Sequence, residues 1–139
     1  MRLLLFCLIL ILTGPITEAA MASGNSDLQQ VYQATLDSSA LDRYFHVDAL
    51  PERKPLLILK NDQVLGEPKL TKFGESIKYV SRAEIELNRL PHLEFLRFSI
   101  NGDSAHVEFA YPPEGIAGVV TLAKDGSGWH VTSHSIVER

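Results

Sequence analysis

Apolar residues recur at Leu28, Val31, Tyr32, Leu36, Ala40, Leu41, Tyr44 and Phe45. The steps of three and four put them on one stripe of a helix that packs against a second layer. Asn25 or Ser26 suits the start of that helix, because a short side-chain oxygen accepts from the first unpaired N–H groups. Asp37-Ser38-Ser39 weakens the middle, so two shorter helices are an alternative to one. After a charged connector from Pro51 to Pro55, the unbroken apolar run Leu56-Leu57-Ile58-Leu59 predicts a short strand covered on both faces. Asn61-Asp62 supplies turn chemistry, and Gly66 and Pro68 mark irregular chain. Ile77 to Val80 predicts a further short strand. Ser81-Arg82-Ala83-Glu84 is a capping-box pattern opening a helix to about Leu90, where Pro91 stops it.

The last third alternates with a period of two. Phe95 to Ile100 and Ser104 to Tyr111 read as strands joined at Asn101-Gly102, a pair that tolerates the positive φ of a tight hairpin. In that register Leu96, Phe98, Ala105, Val107, Phe109 and Tyr111 share one face, with Arg97 opposite His106 and diagonal to Glu108. Pro112-Pro113-Glu114-Gly115 turns the chain again. Ile116 to Lys124 and Trp129 to Val137 follow as strands joined by Asp125-Gly126-Ser127-Gly128. The expected fold class is α+β, an N-terminal helix packed on a curved antiparallel sheet that ends in a four-stranded meander.

Helix, strand, short helix and a run of antiparallel strands resembles the cystatin-like α+β roll of the NTF2-like superfamily, in which a curved sheet wraps around a long helix. The closing segment Asp125-Gly126-Ser127-Gly128-Trp129-His130-Val131 is similar to the glycine turn and tryptophan that often open the last strand in those proteins. The resemblance spans about Asp27 to Val137. It implies a helix–sheet cavity and admits either a binding role or an enzyme of the isomerase or hydrolase kind.

The N-terminus changes the picture of where the domain works. Met1-Arg2 precedes an apolar run from Leu3 to Leu12, broken by Thr13, Gly14 and Pro15. Such a run is about half the ~20 residues that a membrane-spanning helix needs. Ala20-Met21-Ala22 fits a signal-peptidase site with cleavage before Ser23, and cleavage after Ala19 competes with it. The expectation is a cleaved leader over residues 1–22, a single domain over 23–139, and a periplasmic or secreted protein with no membrane attachment after cleavage. Cys7, the one cysteine, leaves with the leader. Disulfides, zinc–thiolate sites and cysteine nucleophiles are thereby excluded from the mature chain. The net charge of −4 and the absence of a basic stripe argue against nucleic acid as a partner.

Among residues that could carry chemistry, His130 and His134 are four apart. On a strand they would share a face ~13 Å apart, too far for two ligands each ~2 Å from one zinc, so no metal is assigned. With Lys124 paired to Trp129, His134 falls opposite Val119 and His130 opposite Ala123. Thr121, Thr132, Ala117 and Ile136 complete a face suited to self-association or to a pocket wall. His106, Glu108 and Arg97 could form a proton-transfer group, although cross-strand charges of this kind are more often a surface ladder. His46 and Asp48 follow the first helix, where they would rim a pocket mouth or serve as plain loop polarity. No phosphate loop, nucleophile elbow or cation loop appears, and no cofactor is implied. The expected function is an exported, non-enzymatic domain that binds a small molecule or an envelope protein. The rivals are an acid–base enzyme using a His–carboxylate pair and a homodimeric interaction or inhibitor protein.

Overall fold

A computed structural model of the protein describes residues 16–139. The apolar run Leu3–Leu12 and Cys7, and with them most of the expected leader, lie outside the described residues. Helix α1 (Ile16–Leu36) is followed by α2 (Ser39–Phe45), with Asp37 and Ser38 breaking the helical run between them. The two-helix alternative is the one realised. The expected cap at Asn25 or Ser26 is not, because α1 begins at Ile16 and runs through both residues. The alanine-rich stretch ahead of them favours helix and carries it back, and Ser26 Oγ accepts instead from Gln30 Nε2 at 3.1 Å.

Strand β1 (Leu57–Leu59) pairs in parallel with β4 (Lys78–Val80). Between them lies a small antiparallel hairpin, β2 (Thr71–Lys72) and β3 (Glu75–Ser76), which the periodicity does not reveal. Its loop residues Phe73 and Gly74 both have positive φ, +57° and +75°, as a twisted two-residue hairpin requires. Phe73 tolerates this because its ring packs edge-on against Phe45, with centroids 5.2 Å apart. Helix α3 (Arg82–Asn88) opens with the expected capping box. Ser81 accepts from the Glu84 amide, and the Glu84 carboxylate accepts from the Ser81 amide.

The C-terminal part is a four-stranded antiparallel meander, β5 (Glu94–Asn101), β6 (Ser104–Tyr111), β7 (Ile116–Asp125) and β8 (Gly128–Glu138), in sequential order. β1 reaches the start of β5 through Leu57 and Leu59, which exchange backbone hydrogen bonds with Leu93 at 2.9 Å each. The helix α1 packs across β8 and β6, so the chain is α+β with its core between the first helix and the meander. Tyr32 sits at the centre of that core, its ring 4.3 Å from Phe95 and 4.7 Å from Phe98. Val31, Leu36, Val107, Phe109, Val120 and Leu122 surround it and are buried. Asp27 pins α1 to the last hairpin, accepting from Lys124 Nζ at 2.9 Å and from Trp129 Nε1 at 3.1 Å.

Two β-bulges alter the expected registers. The first hairpin turns at Gly102-Asp103, one residue later than expected, with Asn101 paired to Ser104. Asp103 is drawn into the loop because its carbonyl accepts from the Lys124 amide at 2.8 Å. With the turn moved, Arg97 lies opposite Glu108 and Ser99 opposite His106, and a bulge at Leu96 beyond them brings Phe95 opposite Phe109. Leu96 leaves the inner face and is 40% exposed, while Phe95 and Phe98 both turn inward. Regular alternation could not do this, since residues three apart point to opposite faces. The second bulge is at Thr132 on β8. Leu122 pairs with Val131 and Thr121 with Ser133, leaving Thr132 unpaired. Trp129, Val131 and Ile136 can then all pack toward the core despite the odd spacing between the last two.

Candidate functional site

The bulge at Thr132 separates the two histidines expected to share a face. His130 pairs with Ala123, whereas His134 pairs with Val120, three residues back along β7 and on the opposite side of the sheet. Val119 pairs with Ser135 and not with His134. The expected surface of His130, Thr132, His134, Thr121 and Val119 is therefore not one face. By register the outer face of β7 and β8 carries Ala117, Val119, Thr121 and Ala123 beside His130, Ser133, Ser135 and Val137. His134 and Ile136 go with the helix-facing side, His134 staying exposed near the sheet edge. Thr132 hangs its hydroxyl on the Thr121 carbonyl at 3.1 Å. Two histidines on opposite sides of one strand cannot ligate one ion. Among the described residues no three His, Cys, Asp or Glu side chains come close enough to hold a metal.

Sequence reasoning missed what His130 does contact. Ser127 Oγ lies 2.9 Å from His130 Nε2 and donates to Asp125 Oδ1 at 2.7 Å. The residue types are those of a nucleophilic triad, but the connectivity is not. In a triad the carboxylate holds Nδ1 while the serine meets Nε2. Here Asp125 Oδ1 and Ser127 Oγ approach the same nitrogen, Nε2, the former at 3.3 Å. The group folds a hairpin turn, with Asp125 also accepting from the Ser127 amide at 2.8 Å. The Ser127 bonds, and then His130, hold the Asp125 carboxyl below its ordinary pKa.

His106 and Glu108 do meet on the outer face, Nε2 to Oε1 at 3.2 Å, and Arg97 adds Nη1 at 3.5 Å from the same oxygen. The sequence expectation placed Arg97 opposite His106; the later turn at Gly102-Asp103 moves it opposite Glu108, where the cross-strand pair forms. His46 ends α2 in the left-handed region, φ +51°. Its carboxylate partner is Glu114, at 3.7 Å, rather than the exposed Asp48. Glu114 in turn accepts from Arg53 Nη1 at 2.6 Å, and Arg53 also donates to the Phe45 carbonyl at 3.0 Å. The three His–carboxylate contacts thus share one property. Their imidazoles are 51%, 41% and 53% exposed at His46, His106 and His130. An acid–base pair gains its catalytic tuning from desolvation and a cleft that excludes water, and none of these has that setting.

The interior gives the other half of the picture. Tyr32, Leu36, Phe95, Val107, Phe109, Val120 and Leu122 are each no more than 2% exposed. The Tyr32 hydroxyl donates to the Gln63 carbonyl, and burial pushes its pKa well above the ordinary tyrosine value. The space between α1 and the sheet is filled by these side chains. The outer sheet face is open instead, with Leu96 40% and Val137 54% exposed. These two and Ala117 and Val119 surround a shallow dimple of about 150 Å³. No family model, curated protein or solved structure matches this chain.

Proposed function

We propose that this chain is an exported, non-enzymatic binding domain of the cystatin-like roll type, and that it engages a protein partner through the outer face of β5–β8. One observation carries the reading: the helix side of the sheet is packed with side chains, while the other side offers Leu96 and Val137, and the half-buried Val119, to solvent. Apolar side chains grouped on an open sheet face and rimmed by Arg97, Glu108 and Arg139 have the pattern of an interaction surface. The order of elements, helix before a meander closed by Gly128-Trp129, supports the roll type. The export half rests on the run Leu3–Leu12 and on Ala20-Met21-Ala22. Mass measurement of the protein recovered from the envelope or medium tests it, with an N-terminus at Ser23, or at Ala20, expected and retention of residues 1–15 counting against it.

The surface is tested by incorporating a photocrosslinker at Val119 and, as a control, at Leu65, which is 74% exposed and lines a groove with Leu28 and Gln29 of α1. A crosslinked product from position 119 that is lost in Val137→Lys is expected. Equal products from both positions, or none from 119, retire the reading. A second copy of the chain is the partner favoured by the mixed charges of the rim, since a two-fold interface brings each Arg toward the other copy's Glu. Sedimentation velocity at micromolar concentration separates that case from a different protein partner.

A further inference from the structure

A cleft of about 550 Å³ lies between the α2–β1 connector, the α3–β5 connector and the turn after β6. Its walls include Leu50, Leu90, Pro91, Pro112 and Pro113. The volume falls within the ~300–1,000 Å³ typical of small-molecule sites. His92 lines this cleft although it is only 9% exposed. Its Nδ1 donates to the Leu90 carbonyl at 3.0 Å, which leaves Nε2 without a hydrogen-bond partner among the described residues. No buried side-chain nitrogen or oxygen among those residues lacks a partner. Nε2 therefore keeps solvent access, and the cleft is where His92 meets solvent.

Two arginines also line the cleft, and they differ. Arg53 is neutralised by Glu114 at 2.6 Å. Arg89 has no ion-pair partner among the described residues. It is held at φ +51° as the residue that ends α3, its amide bonded to the Ile85 carbonyl. A non-glycine residue in that region is uncommon, and here it carries a cation to the same wall as His92. Glu52 lines the cleft as well, so a second negative charge on a ligand would be repelled.

We infer that this cleft binds a small monocarboxylate with an apolar body, its carboxylate received by Arg89 and its body lying against the leucines and prolines beside His92. The chemistry follows from the lining. An unpaired guanidinium offers N–H donors that match a carboxylate, and Leu50, Leu90, Pro91, Pro112 and Pro113 give the ligand's body an apolar wall. This site is separate from the outer sheet face, so it stands or falls independently of the partner reading.

The probe is 2-naphthoate, with 2-naphthamide as its neutral counterpart, titrated into the processed protein and followed by amide chemical shifts and calorimetry. Saturable binding of the acid is expected, with shifts concentrated at Leu90, His92, Leu93 and Gly115. The amide should bind roughly tenfold more weakly, as loss of a charge-assisted hydrogen bond implies. Arg89→Asn should reduce the acid to the affinity of the amide, and Arg89→Lys should restore part of the difference. Asparagine tolerates the left-handed region well, so the first variant keeps the helix end, and an unchanged thermal midpoint verifies that. Equal binding of acid and amide, no binding of the acid, an unaffected Arg89→Asn, or shifts centred on β7 and β8 would each overturn the proposal.

Discussion

Gly118 has no room for a side chain. A Cβ built there would lie 2.5 Å from Phe109 Cζ, 2.9 Å from Cε1 and 3.1 Å from Ile136 Cγ1. Phe109 is fully buried and cannot swing aside. Overpacking of this kind costs about 1–3 kcal/mol, so Gly118→Ala should lower the urea midpoint accordingly, and a change under about 0.5 kcal/mol would mean that the ring relocates freely. Asp27 makes a different prediction. The side-chain hydrogen bond from Lys124, then that from Trp129, hold its pKa below the ordinary 3.8 in the folded chain. The unfolded chain takes up that proton at higher pH than the folded one. The stabilisation is thus fully present above that ordinary value and is lost as pH falls through the folded-state pKa. Asp27→Asn should remove this part of the acid limb in a plot of urea midpoint against pH. Superimposable acid limbs for variant and wild type would show that the contact adds nothing.

Helix α3 was readable because its signal is local: Ser81 and Glu84 bond each other's backbone within three residues. Ser81→Ala should cost about 1 kcal/mol, measured by chemical denaturation, and a null effect would show that packing of Ile85 alone holds the helix. The strands of the meander were readable for the same reason, since alternation is a short-range pattern. Their registers were readable only in part: Lys124 pairs with Trp129 and Ala123 with His130 as expected, while the pairs beyond Val131 and those of β5 with β6 are shifted. Phe95 and Phe98 are three apart, and Val131 and Ile136 five apart, yet all four pack inward. An odd spacing between large apolar residues in one strand is the signal for a bulge, and it stands in the sequence at both places. Deleting Thr132 should leave Thr121 opposite Ser133, because only the unpaired residue is removed. Cross-strand nuclear Overhauser contacts between those two check this, and a shift of Thr121 onto His134 would refute it. The β2–β3 hairpin was hidden because its left-handed Phe73 is chosen by contact with Phe45, a residue far away in the chain.

Taken as a whole, the molecule has two sides of unlike character around one filled core. Substitution on the outer sheet face should therefore separate stability from association. Val137→Lys and Leu96→Lys are each expected to change stability by no more than about 0.5 kcal/mol, as exposed positions do. Both should shift the sedimentation coefficient of a self-associating wild type toward that of the monomer. Loss of folding in either would place these side chains in the core. The bulges matter here too. By turning Leu96 outward they add an apolar group to the open face, and by parting His130 from His134 they remove the two-histidine surface that simple alternation builds.

The α+β class, the capped helix and the four-stranded ending follow from patterns of a few residues, because helix caps and strand alternation are satisfied by neighbours in the chain. The registers, the partners of His46 and His130, and the meeting of Arg89 with His92, Pro112 and Pro113 depend on contacts between distant segments. Those contacts are chosen by which large side chains fill the space around Tyr32, and a one-residue bulge such as that at Thr132 reassigns every polar neighbour beyond it.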